Sequence, residues 1–320
     1  MAAVGQRGTV QQYPGFNSQE DAAKLRKAMK GLGTDEDAII EVLARRTIAQ
    51  RQQIKTDFKT AFGRDLISDL KSEISGNFEQ VVLGLMMTPV MYDVHELKKA
   101  IKGAGTDEGC LVEILASRSN HEIQQIVATY KNEHGKSLED DICGDTSLMF
   151  QRVLVSLATG NRDEGSVVDE ERAKQDAQVL YEAGEKQWGT DETAFLSILC
   201  VRNPAHLRKV FEDYNIIANK DIESSIKGEM SGSLETALLA IVKNMKNQPA
   251  YFAERLYKSM KGAGTDDDTL IRVMVSRCEV DMLDIKQEFQ RMYGKSLYSF
   301  IKGDCSGDYK KILLELCGGE

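Results

Sequence analysis

The sequence predicts an all-α protein built from four tandem repeats, and three observations lead to that prediction. One loop motif, Lys-x-x-Gly-Thr-Asp, recurs four times along the 320 residues. After each motif glycine, apolar residues follow at helical spacing, six, seven, nine and ten positions further on. Prolines number only 4, far below the usual ~5% of residues, and their scarcity favours long helices.

The motif glycines divide the chain into units of similar length. They are Gly33, Gly105, Gly189 and Gly264, at spacings of 72, 84 and 75 residues. We predict an N-terminal arm at 1–16 and repeats at 17–88, 89–160, 173–247 and 248–320. A polar linker at 161–172 accounts for the longest spacing. Pro89 and Pro249 fall at junctions between units, where helices are expected to stop.

The elements of each repeat follow from local signals. A first helix is expected to end at the Lys-Gly pair, and a second to begin at Thr-Asp-Glu with the threonine as N-cap. Amphipathic stretches at Ala49–Ala61, Leu66–Ile74 and Phe78–Met87 predict the other helices of the first repeat. An arginine lies thirteen residues after each motif glycine, and we expect it to close helix ends or form salt bridges: Arg46, Arg118, Arg202 and Arg277.

Composition excludes several classes of protein. Hydrophobic residues make up 42% and charged residues 28%, as in ordinary globular proteins. No apolar run approaches the roughly 18 residues of a membrane span, and residues 1–16 contain no secretory signal, so we expect a cytoplasmic protein. The six cysteines form no CxxC pair and are expected to be buried thiols. The net charge of −9 disfavours binding to nucleic acid and, without help, to anionic membranes.

The loops predict a site for a hard cation. Each loop follows a helix C-terminus, where carbonyl groups lack partners, and its glycines let several carbonyls converge. A carboxylate recurs forty residues after each motif glycine: Glu73, Asp145, Glu229 and Asp304. An irregular, all-oxygen ligand set suits calcium better than magnesium, and the absence of histidine and cysteine from these positions argues against zinc.

A plainer interpretation is that each loop is only a helix–turn–helix connection with capping residues. Capping, however, requires neither a distant carboxylate at a constant offset nor two glycines around a variable apolar residue. The motif is not an EF-hand, whose ligands alternate within one loop of about 12 residues. It is not a nucleotide-binding loop either, since Gly31 to Gly33 lacks the Gly-Lys-Ser/Thr ending and no predicted strand precedes it.

Four copies of Lys-x-x-Gly-Thr, each with an acid forty residues on, resemble the repeats of the annexins, the calcium-dependent phospholipid-binding proteins. The resemblance covers residues 15–318. It implies five helices per repeat, wound into a curved disc with calcium ions bridging convex-face loops to lipid phosphates. It also implies that Asp93, Glu96, Arg118 and Arg272 form a buried ion network, and that the protein is not an enzyme and has no catalytic residues.

The resemblance further implies a ligand set for each repeat, made of three carbonyls and one carboxylate. The sets are Met29, Gly31, Gly33 and Glu73; Ile101, Gly103, Gly105 and Asp145; Gly184, Gln187, Gly189 and Glu229; and Met260, Gly262, Gly264 and Asp304. The third set departs from the pattern. Gly189 lies nine residues after Leu180, whereas in the first repeat Gly33 lies eight residues after the equivalent Leu25. The third loop therefore has one extra residue, and Gln187 replaces a glycine.

Two kinds of residue in the loops are expected to touch lipid. The variable tips are all apolar: Leu32, Ala104, Trp188 and Ala263. The neighbouring lysines can assist at the headgroups, although a helix C-terminus also favours lysine by itself: Lys30, Lys102, Lys186 and Lys261.

The sequence therefore predicts a calcium-switched peripheral membrane protein. Four bound calcium ions would add about +8 and nearly cancel the charge of −9 that opposes binding to an anionic surface. Expected roles are membrane organisation, vesicle aggregation or exocytosis, and the resemblance allows self-association on membranes. A metal-dependent phospholipase is disfavoured because the acids are spread over four repeats. A protein-binding helical scaffold without lipid function stays as the alternative.

Overall fold

Helices account for all the regular structure in the described part of the chain. The computed structural model describes residues 7–102, 105–146, 148–185 and 189–320. Within these ranges there are nineteen helices and no strand, which confirms the all-α prediction. No helix of these ranges is both long enough and apolar enough to cross a bilayer.

Each repeat is built from five helical segments. The first repeat contains α1 (Ser18–Ala28), α2 (Glu36–Leu43), α3 (Ile48–Phe62), α4 (Leu66–Glu73) and α5 (Gly76–Met86). The second contains α6 (Pro89–Lys102), α7 (Glu108–Ser117), α8 (Asn120–His134), α9 (Leu138–Asp145) and α10 (Leu148–Ala158). The third contains α11 (Glu170–Ala183), α12 (Glu192–Leu199), α13 (Pro204–Ala218), α14 (Ile222–Glu229) and the first part of α15 (Gly232–Met260). The fourth contains the rest of α15 with α16 (Asp267–Arg277), α17 (Met282–Tyr293), α18 (Leu297–Asp304) and α19 (Gly307–Cys317).

The two junction prolines lie where one helix gives way to the next. Pro89 is the first residue of α6, a position that needs no amide donor. Helix α15 is interrupted at Asn247, whose φ of −160° and ψ of 96° are not helical. The Asn247 side chain accepts a hydrogen bond from the Ala250 amide at 3.1 Å, and Pro249 lies in the turn that restarts the helix. Both prolines therefore begin a helix rather than end one.

The helices pack into two compact units. Of the described residues, 7–92 and 252–320 form one unit, and those between 93 and 251 form the other. In the first unit α5 packs against α16 and α19, and α19 also packs against α2. In the second unit α11 packs against α13, and α10 packs against α7, α9 and α12. Each unit thus combines most of two repeats around its own apolar core.

The recurrent arginines form buried or half-buried ion pairs, as predicted. Arg46 pairs with Asp21 at 2.7 Å, Arg118 with Asp93 at 2.8 Å, and Arg202 with Asp176 at 2.8 Å. In the fourth repeat Phe252 stands where the other repeats have the acid, so Arg277 pairs with Asp281 and lies 4.5 Å from the Phe252 ring. Burial lowers the pKa of Arg118, but the Asp93 charge and hydrogen bonds raise it above its usual value.

The implied polar network is partly visible within the two units. Asp93 and Glu96 are buried in the second unit, where Asp93 accepts two hydrogen bonds from Arg118. Arg272 is buried in the first unit and donates to Thr269. Asp93 is therefore neutralised by Arg118 within the second unit, and Arg272 is hydrogen-bonded to a hydroxyl on its own helix, α16.

The cysteines are free thiols, and five of the six are buried. Burial raises the pKa of Cys278 to about 12 and that of Cys200 to about 11. The prediction was wrong for Cys143, which is exposed. It lies near the end of α9, whose buried face consists of Leu138, Asp141 and Ile142, so its own side of the helix meets solvent.

Candidate metal-binding loops

The repeat loops join the first two helices of each repeat and span residues 29–35, 101–107, 184–191 and 260–266. Each is closed by one backbone hydrogen bond. The Asp35 amide donates to the Ala28 carbonyl at 2.9 Å, and the first, second and fourth repeats use the same seven-residue closure. In the third repeat the Asp191 amide donates to the Ala183 carbonyl at 2.9 Å, eight residues away. The extra residue predicted for the third loop is therefore present.

Glycine is required in these loops by backbone geometry. Gly31 and Gly33 have φ values of 108° and 85°, and Gly262 and Gly264 have values of 123° and 94°. Such values are in the region that side chains disfavour. A Cβ at any of the four would meet nothing within 4 Å. Glycine is therefore required here by the positive φ of the backbone and not by lack of space for a side chain.

The turned backbone leaves carbonyl oxygens available. Within the described ranges, no hydrogen bond ends on the carbonyls of Met29, Gly31 and Gly33, or of Met260, Gly262 and Gly264. The side chains of Met29, Ile101 and Met260 are buried, with 4%, 9% and 5% of their surface exposed. These three residues can consequently serve a site only through the main chain, as the resemblance implies.

The distant carboxylates are each brought to a repeat loop by a threonine. Thr34 donates its hydroxyl to Glu73 at 2.8 Å, Thr190 to Glu229 at 3.2 Å, and Thr265 to Asp304 at 2.5 Å. Thr106 donates to Asp145 in the same way. The forty-residue offset therefore places one carboxylate beside each loop in all four repeats.

These threonines correct one prediction. We expected them to cap the second helix, but the N-caps are Asp35, Asp107, Asp191 and Asp266, each of which accepts a hydrogen bond from an amide of the first turn. An aspartate is an equally good cap, and it leaves the threonine hydroxyl free to hold the carboxylate. The threonine after every motif glycine is visible in the sequence. Helix capping explains its recurrence by local rules alone, so nothing in the sequence linked it to a distant carboxylate.

All four carboxylates also occupy an unfavourable place on their helices. Glu73, Asp145, Glu229 and Asp304 are the last residues of α4, α9, α14 and α18. The C-terminal end of a helix carries partial negative charge and favours cations. A carboxylate ends the helix in every repeat, and in the first and fourth repeats it lies beside a loop with unpaired carbonyls, an arrangement that a bound cation stabilises.

The predicted membrane-contact residues are exposed wherever they are described. Leu32 is fully exposed at 109% of its reference surface, and Ala263, Lys30, Lys102 and Lys261 are exposed as well. The Lys261 ammonium lies 5.4 Å from the Tyr257 ring. The remaining predicted site residues lie outside the described residues: Gly103, Ala104, Lys186, Gln187 and Trp188.

The third loop differs from the others at its start. Gly184 is buried with φ of −112°, and a Cβ there would lie 3.5 Å from the Phe195 ring. The next residue, Glu185, accepts a hydrogen bond from Lys220 at 2.6 Å. Gly189 has φ of 83°, like its counterparts, and so does Gly105 at 102°. The end of the third loop thus keeps the common geometry while its beginning is anchored differently.

A different type of metal site finds no support in the described ranges. They contain no group of three or more His, Cys, Asp or Glu side chains arranged to hold a metal ion. The buried histidine His206 is instead paired with Asp176 at 2.8 Å. An ion at the repeat loops would therefore depend on main-chain oxygens and one carboxylate, which is hard-cation chemistry.

Known proteins match the chain along its whole length. The family model described as Annexin matches residues 20–85, 92–157, 175–241 and 251–316. Annexin A4 of Bos taurus is 69% identical over 320 residues, covering 100% of both chains. Annexin A11 of Homo sapiens is 60% identical over 315 residues, which are 98% of this chain and 62% of that protein.

Solved structures agree in fold. The structure of annexin III has a TM-score of 0.97 at 50% identity and covers 100% of this chain and 99% of its own. Calcium-bound annexin (Sm)1 has a TM-score of 0.86 at 33% identity, with coverage of 98% and 94%. The repeat loops therefore belong to an architecture that one of these relatives presents with calcium bound.

Proposed function

Because the chain belongs to the annexin family, we propose that its four repeat loops hold calcium ions and thereby bind it to anionic phospholipid membranes. Annexins are calcium-dependent membrane-binding proteins rather than enzymes. The observation that carries the assignment of the loops is the carboxylate that ends a helix beside each of them. We assign one carboxylate and three main-chain carbonyls to each ion, in the four ligand sets given above.

Each loop residue has a separate task in this proposal. In the first and fourth repeats the positive φ of both glycines turns their carbonyls, and that of the helix-end residue, toward the proposed ion. The carboxylate supplies the only formal negative charge, and the threonine hydroxyl fixes one of its oxygens. Bound calcium supplies positive charge and open coordination positions that phosphate oxygens can fill.

Net charge explains why such binding would be switched. At −9 the protein is repelled by a surface rich in phosphatidylserine. Four ions would nearly neutralise it, and the exposed Lys30, Lys102 and Lys261 would then act at close range. We infer a peripheral protein that moves from cytoplasm to membrane when calcium rises, with roles in membrane organisation, vesicle aggregation or exocytosis. Self-association on the membrane is part of the same proposal.

Vesicle co-sedimentation tests the proposal. Vesicles of equimolar phosphatidylserine and phosphatidylcholine are expected to pellet the protein with calcium and to release it when a chelator is added. Pure phosphatidylcholine vesicles serve as the control for headgroup charge. Equal pelleting with calcium and with chelator, or no pelleting in either, would favour the alternative of a helical scaffold that binds proteins and not lipid.

Trp188 provides a second, local prediction. It is the only tryptophan, and an indole is well suited to the boundary between lipid and water. Adding calcium and anionic vesicles is expected to shift its emission to shorter wavelength and to protect it from an aqueous quencher.

Calcium without vesicles is the control, because an ion can alter the signal by moving the loop. Only the lipid-dependent part of the change counts. If Trp188 stays equally open to the quencher on fully bound protein, the third loop does not enter the headgroup region, and contact must depend on the other three repeats.

A further inference from the structure

One position in the second repeat breaks a rule that the other repeats keep. The residue forty-three positions after the motif glycine is Gly76, Gly232 and Gly307 in the first, third and fourth repeats, with φ of 66°, 61° and 61°. In the second repeat the same position is Leu148, and its φ is 56°. The backbone keeps the left-handed turn, although the residue is no longer a glycine.

Leucine is poorly suited to that conformation. A left-handed backbone brings Cβ close to a neighbouring carbonyl, so residues other than glycine, asparagine and aspartate seldom adopt it. Packing provides no compensation, since 85% of the Leu148 surface is exposed. Within the described part of the chain, burial therefore does not favour leucine here, and residues held in strained conformations concentrate at functional sites.

The position of Leu148 indicates what the side chain is for. It is three residues from Asp145, whose carboxylate accepts a hydrogen bond from Thr106 of the second repeat loop. Three residues of chain span at most about 11 Å, so Leu148 lies beside the proposed calcium ligand. Among the large apolar side chains of the described residues, Leu32 at 109% and Leu148 at 85% are the two most exposed. Leu32 is the tip of the first repeat loop, and Leu148 follows the carboxylate that is hydrogen-bonded to the second.

We propose that Leu148 is an apolar membrane contact that inserts between phospholipid headgroups when the second repeat loop is loaded. The proposal depends on the proposed function and adds a residue outside the loops to it. A protein partner fits less well, because protein interfaces need an apolar patch of some hundreds of Å². The flanking exposed groups, Asp145 and Cys143, do not provide one. A lipid surface, in contrast, accepts a single side chain.

Two substitutions separate the contact from the fold. Leu148→Gly restores the residue of the other repeats, and Leu148→Asn keeps a side chain that tolerates the left-handed turn. Both are expected to melt at or above the wild-type temperature without calcium, because strain is relieved. At limiting calcium both are expected to bind equimolar phosphatidylserine and phosphatidylcholine vesicles about fivefold to tenfold more weakly, as loss of about half of a leucine's full burial implies. Ile216→Ala, a truncation of an exposed apolar residue on α13, is the control and should bind normally.

A reporter at the same position measures insertion directly. In a Trp188→Phe background, Leu148→Trp places the only indole at position 148. Its emission is expected to shift to shorter wavelength with calcium and anionic vesicles together, and not with calcium alone.

The outcomes separate the two proposals. If wild-type protein fails to pellet with vesicles and calcium, the proposed function and the Leu148 contact are both overturned. If the wild type pellets while both Leu148 variants bind equally well and the indole does not shift, only the contact is overturned. If the indole emission shifts without vesicles, in step with the formation of cross-linked oligomers, Leu148 contacts a second copy of the chain. That result would also overturn the membrane contact.

Discussion

Replacing all four helix-ending carboxylates at once is expected to abolish vesicle binding at the calcium concentrations that suffice for the wild type, while leaving the fold intact. The changes are Glu73→Gln, Asp145→Asn, Glu229→Gln and Asp304→Asn. Each keeps the size of the side chain and an oxygen that can still accept the threonine hydroxyl, so the loop stays anchored to its helix. Each removes the one charged ligand of its site. We expect the calcium needed for half-maximal pelleting to rise by about a hundredfold or more, because carboxylate charge is what sets calcium affinity.

The direction of this effect is diagnostic. Removing four negative charges makes an acidic protein less repelled by an anionic membrane, so simple electrostatics predicts tighter binding. Weaker binding can therefore be assigned to lost ligands. In the calcium-free protein the same changes remove a charge from the negative end of each helix. The melting temperature without calcium should consequently equal or slightly exceed that of the wild type, and the rise that calcium causes in the wild type should disappear.

The matched control neutralises exposed acids far from the loops. Glu20→Gln, Glu170→Gln and Glu171→Gln lie in the first turns of α1 and α11, at the opposite ends of these helices from the loops. That triple variant should bind vesicles at wild-type calcium concentrations. Single changes at Glu73 and Asp304 should each raise the calcium requirement by a smaller step. Unchanged binding by the quadruple variant would show that these carboxylates are not ligands.

Arg51→Met is expected to cause the largest loss of stability. Arg51 is 2% exposed, and its guanidinium connects three parts of the first unit. It donates to the carbonyl of Leu85, at the end of α5, at 2.6 Å, and to that of Leu43, at the end of α2, at 3.3 Å. It also pairs with Glu279 at 2.9 Å. Methionine keeps the length of the side chain but leaves helix-end carbonyls without donors.

We expect the free energy of unfolding to fall by about 3–5 kcal/mol, the usual loss when one partner of a buried pair is removed. Thermal unfolding by circular dichroism without calcium is the measurement, and a drop on the order of 10 °C corresponds to that loss. Arg45→Met is the control, since Arg45 pairs with Glu315 at the surface and such pairs contribute at most about 1 kcal/mol. Equal shifts for the two variants would contradict the structural role assigned to Arg51.

The contrast between Arg51 and its counterparts in the other repeats shows a feature that the sequence pattern does not predict. Eighteen residues after the motif glycine the other repeats have Ile123, Leu207 and Met282, all buried. The pattern predicts a buried apolar residue at this position, and an arginine there would be expected to face solvent. Only the packing of α2, α3 and α5 shows that this arginine is buried, because it satisfies carbonyls that are distant in sequence.

Short-range physics explains what the sequence by itself determined. Helical periodicity, glycines at turns and a motif repeated in register depend on interactions within a few residues, so the four repeats and the positions of the loops could be read directly. The extra residue in the third loop is likewise a matter of counting from Leu180 to Gly189. The recurrence of an acid after forty residues predicted that Glu73 and its counterparts belong with the loops.

Tertiary structure decided how those parts meet. Whether Thr34 caps a helix or holds Glu73 depends on where α4 ends in space, and both choices satisfy the local rules equally well. The left-handed backbone of Leu148 is likewise imposed by the packing of its repeat, since its own preference is for another conformation. Contacts between residues that are tens of positions apart depend on how the helices pack. Because packing energy is summed over many side chains, such contacts cannot be predicted from any single segment of the sequence.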